Sequence, residues 1–416
     1  MTASEQLAQF AAGSKALPKL CREYKKESAT VHLKELVGGA LSFYAAAAVA
    51  KTGGVHIFVA EDRDAAAYLL NDFYNLLDEK QVYFFPSSYK RSVAYGAEDA
   101  QGVVQRTAAM NAVRGFTKGY LVVCTYPEAL AERVVDAATL QRDTIAVKLG
   151  DKISIAVLED ALADANFTRV DFVYEPGQYS VRGGIVDVFS YSESKPYRID
   201  FFGDEVDSIR RFNISSQLSA DKLDRVEIVP NLNAGEAPRV SFVQFAGSGA
   251  TCWFYDADYV LRRVNDLRRK VLADMEEPGQ IDRLLTSRNV LLRDMAGNSV
   301  VALRDNLPER PATAAVVFDT APQPKFNKNF EMLADDMIRN SLRGYATYIL
   351  SENKVQVERL ENIFHQIGRG QAAVRSLSVT LHEGFVDNDL KLCLYTDHQI
   401  FDRYQRYRIN GEIRRD

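Results

Sequence analysis

The sequence predicts an α/β protein in which a parallel-sheet domain carries an inserted small β-rich module and is followed by a further α/β domain. Three observations support this class. Near-continuous apolar strands alternate with helical patterns over residues 28–135, successive β segments follow over 150–215, and helix–strand alternation returns over 325–402. Apolar strands that alternate with helices are typical of a parallel sheet covered on both faces.

The first region contains four short apolar runs, each followed by a longer helical pattern. The predicted strands are Thr30–Leu33, Val55–Ala60, Gln81–Phe85 and Tyr120–Thr125. The predicted helices are Gly38–Lys51, Arg63–Asp78, Asp99–Arg114 and Tyr126–Arg133.

The second region begins with a predicted strand, Lys152–Ala156, and a short helix, Leu158–Ala165. A β segment at Phe167–Val173 follows, and two longer β runs occupy Glu175–Phe189 and Tyr197–Phe212. In the last run, alternation places one set of side chains on one face (Tyr197, Ile199, Phe201) and the other set on the opposite face (Arg198, Asp200, Phe202).

Two glycine-containing pairs punctuate these runs. Gly183-Gly184 precedes β-branched residues and indicates a close backbone approach into a strand, whereas Gly203-Asp204 fits a two-residue hairpin turn. Four arginines lie on or near the predicted surface: Arg182, Arg198, Arg210 and Arg211. Arginines beside aromatic side chains on a rigid sheet are typical of protein-binding hot spots.

The later part contains a long charged helix at Asp256–Met275, a proline-rich boundary at Leu307–Ala312, and a strand, helix and strand at Tyr345–Ser351, Asn353–Ile367 and Lys391–Thr396. We therefore divide the chain into the first part of the parallel-sheet domain (1–145), the inserted module (146–215), the second part (216–312), a third α/β domain (313–405) and the start of a basic linker (406–416).

The arginines at the end (Arg403, Arg406, Arg408, Arg414, Arg415) fit either a frayed tail or such a linker, and we favour the linker.

Composition limits the possible functions. The 416 residues include 51 Lys and Arg against 56 Asp and Glu, a formal charge of −5, which disfavours a stand-alone nucleic-acid-binding protein but permits a local basic patch. The four cysteines are far apart and form no C-x-x-C pair, so a disulfide framework or zinc site is not expected and a reducing cytoplasm fits. The longest apolar run, Ala40–Ala50, is about half a membrane span, and no targeting segment or membrane partner is predicted.

The position of a phosphate-binding loop is occupied by Leu36-Val37-Gly38-Gly39-Ala40-Leu41-Ser42. A working loop needs several glycines, a lysine for the phosphates and a serine or threonine for magnesium, but here only Gly38 and Gly39 remain and no Lys-Ser or Lys-Thr follows. The pattern indicates a degenerate RecA/P-loop-like domain. A weak anion site at the helix start is the alternative to a plain strand-to-helix turn, and we favour the turn.

No catalytic residue and no cofactor or metal site is predicted. The adjacent acids Asp204-Glu205 and Asp335-Asp336 do not form a convergent pair, and Ser87-Ser88 has no nearby histidine in the sequence. The five histidines lie at no metal-ligand spacing.

The runs Glu175–Phe189 and Tyr197–Phe212 resemble the UvrA-binding module shared by UvrB and the transcription-repair coupling factor family. Phe85-Pro86-Ser87-Ser88-Tyr89, Tyr95 and Gln105-Arg106 resemble the first domain of the coupling factors, and Val37-Gly38-Gly39-Ala40 lies where that family has a degenerate phosphate loop. The run from Gly384-Phe385 to Phe401 resembles the end of the family's third domain. The resemblance is strongest over 30–215.

UvrB itself is the competing assignment. It requires an intact phosphate loop and an aromatic-rich β-hairpin that clamps DNA, whereas only Tyr89 and Tyr95 are aromatic between Phe85 and Gln105. Both departures favour the coupling factors.

The resemblance implies that arginines and a phenylalanine of the module contact UvrA. By motif these are Arg182, Arg169 and Phe189, with Arg198 as a weaker candidate. An internal ion pair with Glu175 or Asp187 is the alternative for Arg182. Core packing is the alternative for Phe189.

The resemblance also implies a role. The chain would recruit UvrA to stalled RNA polymerase, while RNA polymerase and DNA would be contacted through motor and polymerase-interacting domains outside this sequence. Two other interpretations stay open: an active UvrB-like DNA helicase or ATPase, and a structural α/β protein whose arginines only support its own fold.

Overall fold

The computed structural model of the protein describes residues 1–89 and 98–409. Tyr95, Arg414 and Arg415, which contributed to the predictions above, lie outside these residues.

The first region begins with a helical pair and then alternates strands and helices. Its elements are α1 (Ala3–Ala12), α2 (Ala16–Tyr24), β1 (Thr30–Lys34), α3 (Ala40–Thr52), β2 (Gly54–Val59), α4 (Arg63–Leu76), β3 (Val82–Phe84), α5 (Ala100–Gly115), β4 (Tyr120–Thr125), α6 (Pro127–Ala131), β5 (Val134–Val135) and α7 (Ala137–Asp143). Side-chain caps fix several helix starts. The carboxylate of Asp62, for example, accepts the Ala65 N–H at the start of α4.

The second region is almost entirely β structure. Its elements are β6 (Ile145–Lys148), α8 (Ile155–Asp164), β7 (Thr168–Arg169), β8 (Gln178–Arg182), β9 (Ile185–Val188), β10 (Tyr197–Phe202), β11 (Glu205–Phe212), β12 (Ser219–Leu223) and β13 (Arg225–Ile228). Strands β7 to β12 form one sheet in the order β12-β11-β10-β9-β8-β7, and only the β7–β8 pair is parallel. We call this sheet with α8 the module.

The rest of the chain returns to mixed helices and strands. Its elements are β14 (Arg239–Val240), α9 (Phe242–Ala246), β15 (Thr251–Phe254), α10 (Ala257–Asp274), α11 (Ile281–Leu284), α12 (Arg288–Asp294), β16 (Val300–Ala302), β17 (Ala314–Val317), β18 (Thr320–Pro322), α13 (Phe330–Leu342), β19 (Ala346–Leu350), α14 (Lys354–Gln366), β20 (Ser376–Leu377), β21 (Phe385–Asp387), β22 (Leu392–Thr396) and α15 (Asp397–Ile400).

The largest sheet joins strands from both sides of the module. Seven parallel strands pair in the order β17-β1-β16-β15-β2-β4-β3, so the chain leaves this sheet after β4 and re-enters it at β15. Strands β2 and β4 are almost wholly buried, as expected for a sheet with helices on both faces. A separate five-stranded sheet follows in the order β18-β21-β22-β19-β20.

The α/β class predicted from the sequence is confirmed by this large parallel sheet and the additional β-rich sheets. The strand predicted at Lys152–Ala156 is wrong: Ser154 caps α8 and Ile155 is already helical, while the strand lies earlier, at Ile145–Lys148. Strands β15 and β16 were not predicted, because each has only three or four residues between polar turns. The proposed boundaries at 215 and 312 fall just before β12 and β17, each of which pairs with the sheet on its N-terminal side.

The segment after α15 runs back across the first region. The hydroxyl of Tyr68 donates to the carbonyl of Gln405 at 3.0 Å, and Asn71 exchanges two hydrogen bonds with the backbone of Arg408. Ile409 is buried. The first residues of the predicted linker are therefore packed on α4.

Within the described residues, no helix is both long and apolar enough to cross a membrane, and no cluster of three or more His, Cys, Asp or Glu side chains is placed to hold a metal ion.

Candidate protein interface

The two faces of the module's sheet differ in character. One face packs on α8 through apolar side chains, among them Leu158, Leu162, Val186 and Ile199. The opposite face carries a row of polar residues at paired positions of neighbouring strands: Ser180, Asp187, Arg198, Arg210 and Lys222. The predicted alternation along β10 is confirmed for Tyr197 and Ile199, which are buried, and for Arg198 and Asp200, which are half-buried.

Asp187 is the centre of the polar face. Its side chain is only 3% exposed and accepts hydrogen bonds from two arginines. Nε and Nη2 of Arg198 lie 2.8 and 2.9 Å from the two carboxylate oxygens, and Nη2 of Arg182 lies 2.8 Å from Oδ2. The hydrogen bonds to Asp187 are also the main reason that the pKa of Arg198 is raised. Asp187 thus orients both guanidinium groups.

Arg182 ends β8 at the rim of the sheet. The turn that follows requires glycine at position 183, whose φ is +60°, and it brings Arg182 opposite Ile185. Its guanidinium lies over the ring of Phe172, 4.8 Å from the ring centre. The internal ion pair with Asp187 that we weighed as the alternative is present, yet the side chain of Arg182 stays 40% exposed. The same residue can therefore pair internally and still meet a partner.

Arg169 lies on the edge strand β7. Its side chain is 60% exposed and pairs with Glu159 of α8 at 3.0 Å. Arg169 and Arg182 border one shallow groove, together with Phe172. Two of the arginines named from the sequence are therefore brought together.

The other two candidates are less accessible. Phe189 is 1% exposed, so the structure places its side chain in the core, as the core-packing alternative has it, and contact with a partner stays a prediction. Its backbone forms hydrogen bonds with Gly177 and Gln178 at the start of β8. Arg198 is 13% exposed and stacks on Phe212 at 4.1 Å, so it supports the surface more than it forms it.

Sequence reasoning missed Phe172 as a surface residue. Strand alternation along the predicted segment Phe167–Val173 puts Phe172 on the face opposite to Arg169, but the strand ends at Arg169 and alternation no longer applies beyond it. Phe172 is 51% exposed, and Tyr174, two residues further on, is 66% exposed. Aspartate is rare in strands, so Asp171 was the available sign that the strand stops early.

The remnant phosphate loop is covered by a later segment of the chain. A Cβ atom at Gly39 would overlap the carbonyl oxygen of Glu383, and one at Gly38 would lie 3.0 Å from the carbonyl oxygen of Gly384. The side chain of Ser42 donates to Asp72 at 2.7 Å. Backbone carbonyls therefore face the loop where a nucleotide would place phosphates.

Ser87 and Ser88 also have a structural role. Both hydroxyls donate to the carboxylate of Glu132, which is nearly buried and lies 3.5 Å from Nε of Arg106. The guanidinium of Arg106 also donates to the carbonyls of Pro86, Ala129 and Glu132. This network holds the end of β3 against α5 and α6.

The module therefore presents two arginines and an exposed aromatic ring at the rim of its sheet. Residues 145–233 match the family model for the UvrB interaction domain, which covers the module and β13.

Longer parts of the chain are similar to curated proteins named transcription-repair-coupling factor. The similarity is 27% identity over 199 residues to the proteins of Bacillus subtilis and Escherichia coli, which covers 48% of this chain and 17% of each relative. It is 35% over 101 residues to the protein of Haemophilus influenzae, which covers 24% of this chain and 9% of that relative. The resemblance predicted from the sequence is confirmed. The matched part spans about a sixth of the length of these relatives at most.

Proposed function

We propose that this chain is a recruitment unit of transcription-coupled DNA repair that binds UvrA through the rim of the module. The supporting observation is the groove at the edge of the matched domain, where Arg169 and Arg182 flank Phe172. A partner with carboxylates around an apolar side chain would complement this surface.

The geometry favours a preorganised interface. Asp187 holds Arg182 in place before any partner arrives, so little side-chain entropy is lost on binding. Arginine beside an aromatic ring forms both bidentate pairs with carboxylates and contacts with apolar groups. The formal charge of −5 disfavours tight, sequence-independent DNA binding by the chain as a whole.

In the complete pathway, we propose that this unit brings UvrA to RNA polymerase that has stalled on DNA, while a motor outside this sequence would use ATP to displace the polymerase. The chain itself would not hydrolyse ATP. The missing lysine and the carbonyl groups that face Gly38 and Gly39 support this part of the proposal.

A direct test is gel filtration of the chain with purified UvrA, followed by competition with UvrB. We expect co-elution that an excess of UvrB abolishes, because both would use the same kind of domain. Co-elution unaffected by UvrB would contradict a shared surface, and no co-elution would favour the structural interpretation of the arginines.

The UvrB-like ATPase remains the alternative enzyme. A steady-state ATPase assay with and without DNA distinguishes the two: we expect no turnover above a buffer control. Turnover that is lost on mutation at Gly38 or Gly39 would support the alternative.

A further inference from the structure

A cavity of about 350 Å³ lies beside the covered phosphate loop, at the carboxyl ends of β2 and β15. Residues 38–72 provide most of the wall, residues 253–255 and Leu303 add a second side, and His382 and Glu383 of the segment before β21 add a third. This volume is within the range that takes small ligands. A molecule bound here would contact both the parallel-sheet region and the segment before β21.

The wall of the cavity is aromatic on several sides. Phe58, Tyr68, Trp253 and Tyr255 all line it. Trp253 stacks on Phe58, and its indole N–H donates to Nδ1 of His56 at 3.1 Å, so this part of the wall is fixed. Tyr255 already contacts a cation: the guanidinium carbon of Arg304 lies 5.8 Å from the centre of its ring, and the same guanidinium pairs with Asp256.

The charged groups at the cavity are mainly carboxylates. Glu61 and Glu383 are exposed at the mouth and supply the negative charge. Asp72 is buried deeper, where burial raises its pKa, so it adds less charge. No lysine or arginine of the described chain lines the cavity, and its one basic ring, His382, stacks on Tyr68 and contacts Gln405 through Nδ1. A negative, aromatic-walled cavity repels phosphates and attracts cations.

From these observations we infer that the cavity binds a small organic cation, an amine or amidine carried on a flat apolar body, in place of a nucleotide. The carboxylates of Glu61 and Glu383 would face the charged end, and the rings of Trp253 and Tyr68 would contact the flat body. The inference is independent of UvrA binding, because the module lies elsewhere in the chain.

The probe for the test is benzamidine, with neutral benzamide as its isostere and ATP as the nucleotide control. Ligand-observed NMR and thermal unfolding of the whole chain give two separate readouts. We expect saturable binding of benzamidine, a higher unfolding temperature in its presence, and no binding of benzamide or ATP at the same concentrations.

Two variants locate the site. The double substitution Glu61→Gln and Glu383→Gln removes the mouth charges from exposed positions, and we expect about tenfold weaker benzamidine binding. Its matched control is Glu358→Gln with Glu361→Gln on α14, which changes the net charge equally and should leave binding unchanged. Ala65→Trp, at an exposed helical position that lines the cavity, should abolish binding by filling the space.

Absence of benzamidine binding, equal binding of benzamide, or binding of ATP would each overturn the inference. Unchanged affinity in the double-glutamine variant or in Ala65→Trp would also overturn it, because the cation would then bind elsewhere.

Discussion

Nη2 of Arg182 lies 2.8 Å from Oδ2 of Asp187, and that same oxygen also accepts a hydrogen bond from Arg198. One buried carboxylate therefore holds an exposed arginine at the rim and a nearly buried arginine within the sheet. The two interpretations of Arg182, an internal pair and a binding residue, are compatible in this geometry. Asp187 is the residue on which the shape of the proposed surface depends.

Asp187→Asn should destabilise the chain by about 3 kcal/mol, because two arginines lose the buried charge that pairs with them. Urea unfolding measures this change. Asp207→Asn, at an exposed position on β11, is the control and should have little effect. Equal stability of the two variants would show that Asp187 does not organise the face.

Phe172→Ala should weaken UvrA binding, whereas Phe189→Ala should lower the stability of the chain. Phe172 is exposed under Arg182, so its loss should weaken UvrA binding about tenfold or more while the unfolding temperature stays near that of the wild type. Phe189 is buried, and its loss should cost about 3 kcal/mol or more in unfolding free energy. Calorimetry and urea unfolding of both variants measure the two effects, and a stable Phe189→Ala chain that fails to bind UvrA would restore Phe189 as a contact residue.

Gly39→Ala should destabilise the chain by about 2 kcal/mol, since the added methyl group would overlap the carbonyl of Glu383. The backbone at Gly39 is helical, so the effect would come from packing alone. Gly115→Ala at the end of α5 is the matched control, because a Cβ atom there has no heavy atom within 4 Å. If urea unfolding gives the same stability for both variants, the segment at Glu383 does not cover the loop as described.

Asp72→Asn should change how stability depends on pH. Burial raises the pKa of Asp72 from 3.8 to about 7, although hydrogen bonds from Ser42 and from the His382 N–H partly oppose this. Between these values the folded state holds a proton that the unfolded state has lost, so this group lowers stability as pH rises.

Relative to the asparagine variant, the wild type should therefore lose about 1.4 kcal/mol per pH unit between pH 5 and pH 7. Urea unfolding of both proteins at pH 5, 6 and 7 measures the difference. A stability difference that stays constant across this range would contradict a raised pKa for Asp72.

Patterns with a strong period were predictable from the sequence. Strand Tyr120–Thr125 and the long helix, observed at Ala257–Asp274, follow directly from apolar runs and helical spacing. Arg169 and Arg182 were named by motif, and their role in binding stays a prediction.

The exposure of Phe172 and Phe189 was not predictable. Phe172 is exposed because β7 ends before it, and Phe189 is buried because of the tertiary packing around its ring. Neither is written in the local sequence. The contact between Gly39 and Glu383 joins residues more than three hundred positions apart, and no local pattern encodes it.

Calorimetric titration of UvrA with the wild-type chain, Arg182→Ala and Arg225→Ala tests the central proposal most directly. Arg225 is an exposed arginine on β13 and is the matched control. We predict that Arg182→Ala weakens binding roughly thirtyfold, about 2 kcal/mol, while Arg225→Ala binds like the wild type. All three should unfold at similar temperatures, because Arg198 still pairs with Asp187. Equal affinity of the three chains, or no binding by the wild type, would contradict the proposal that the Arg182 rim recruits UvrA.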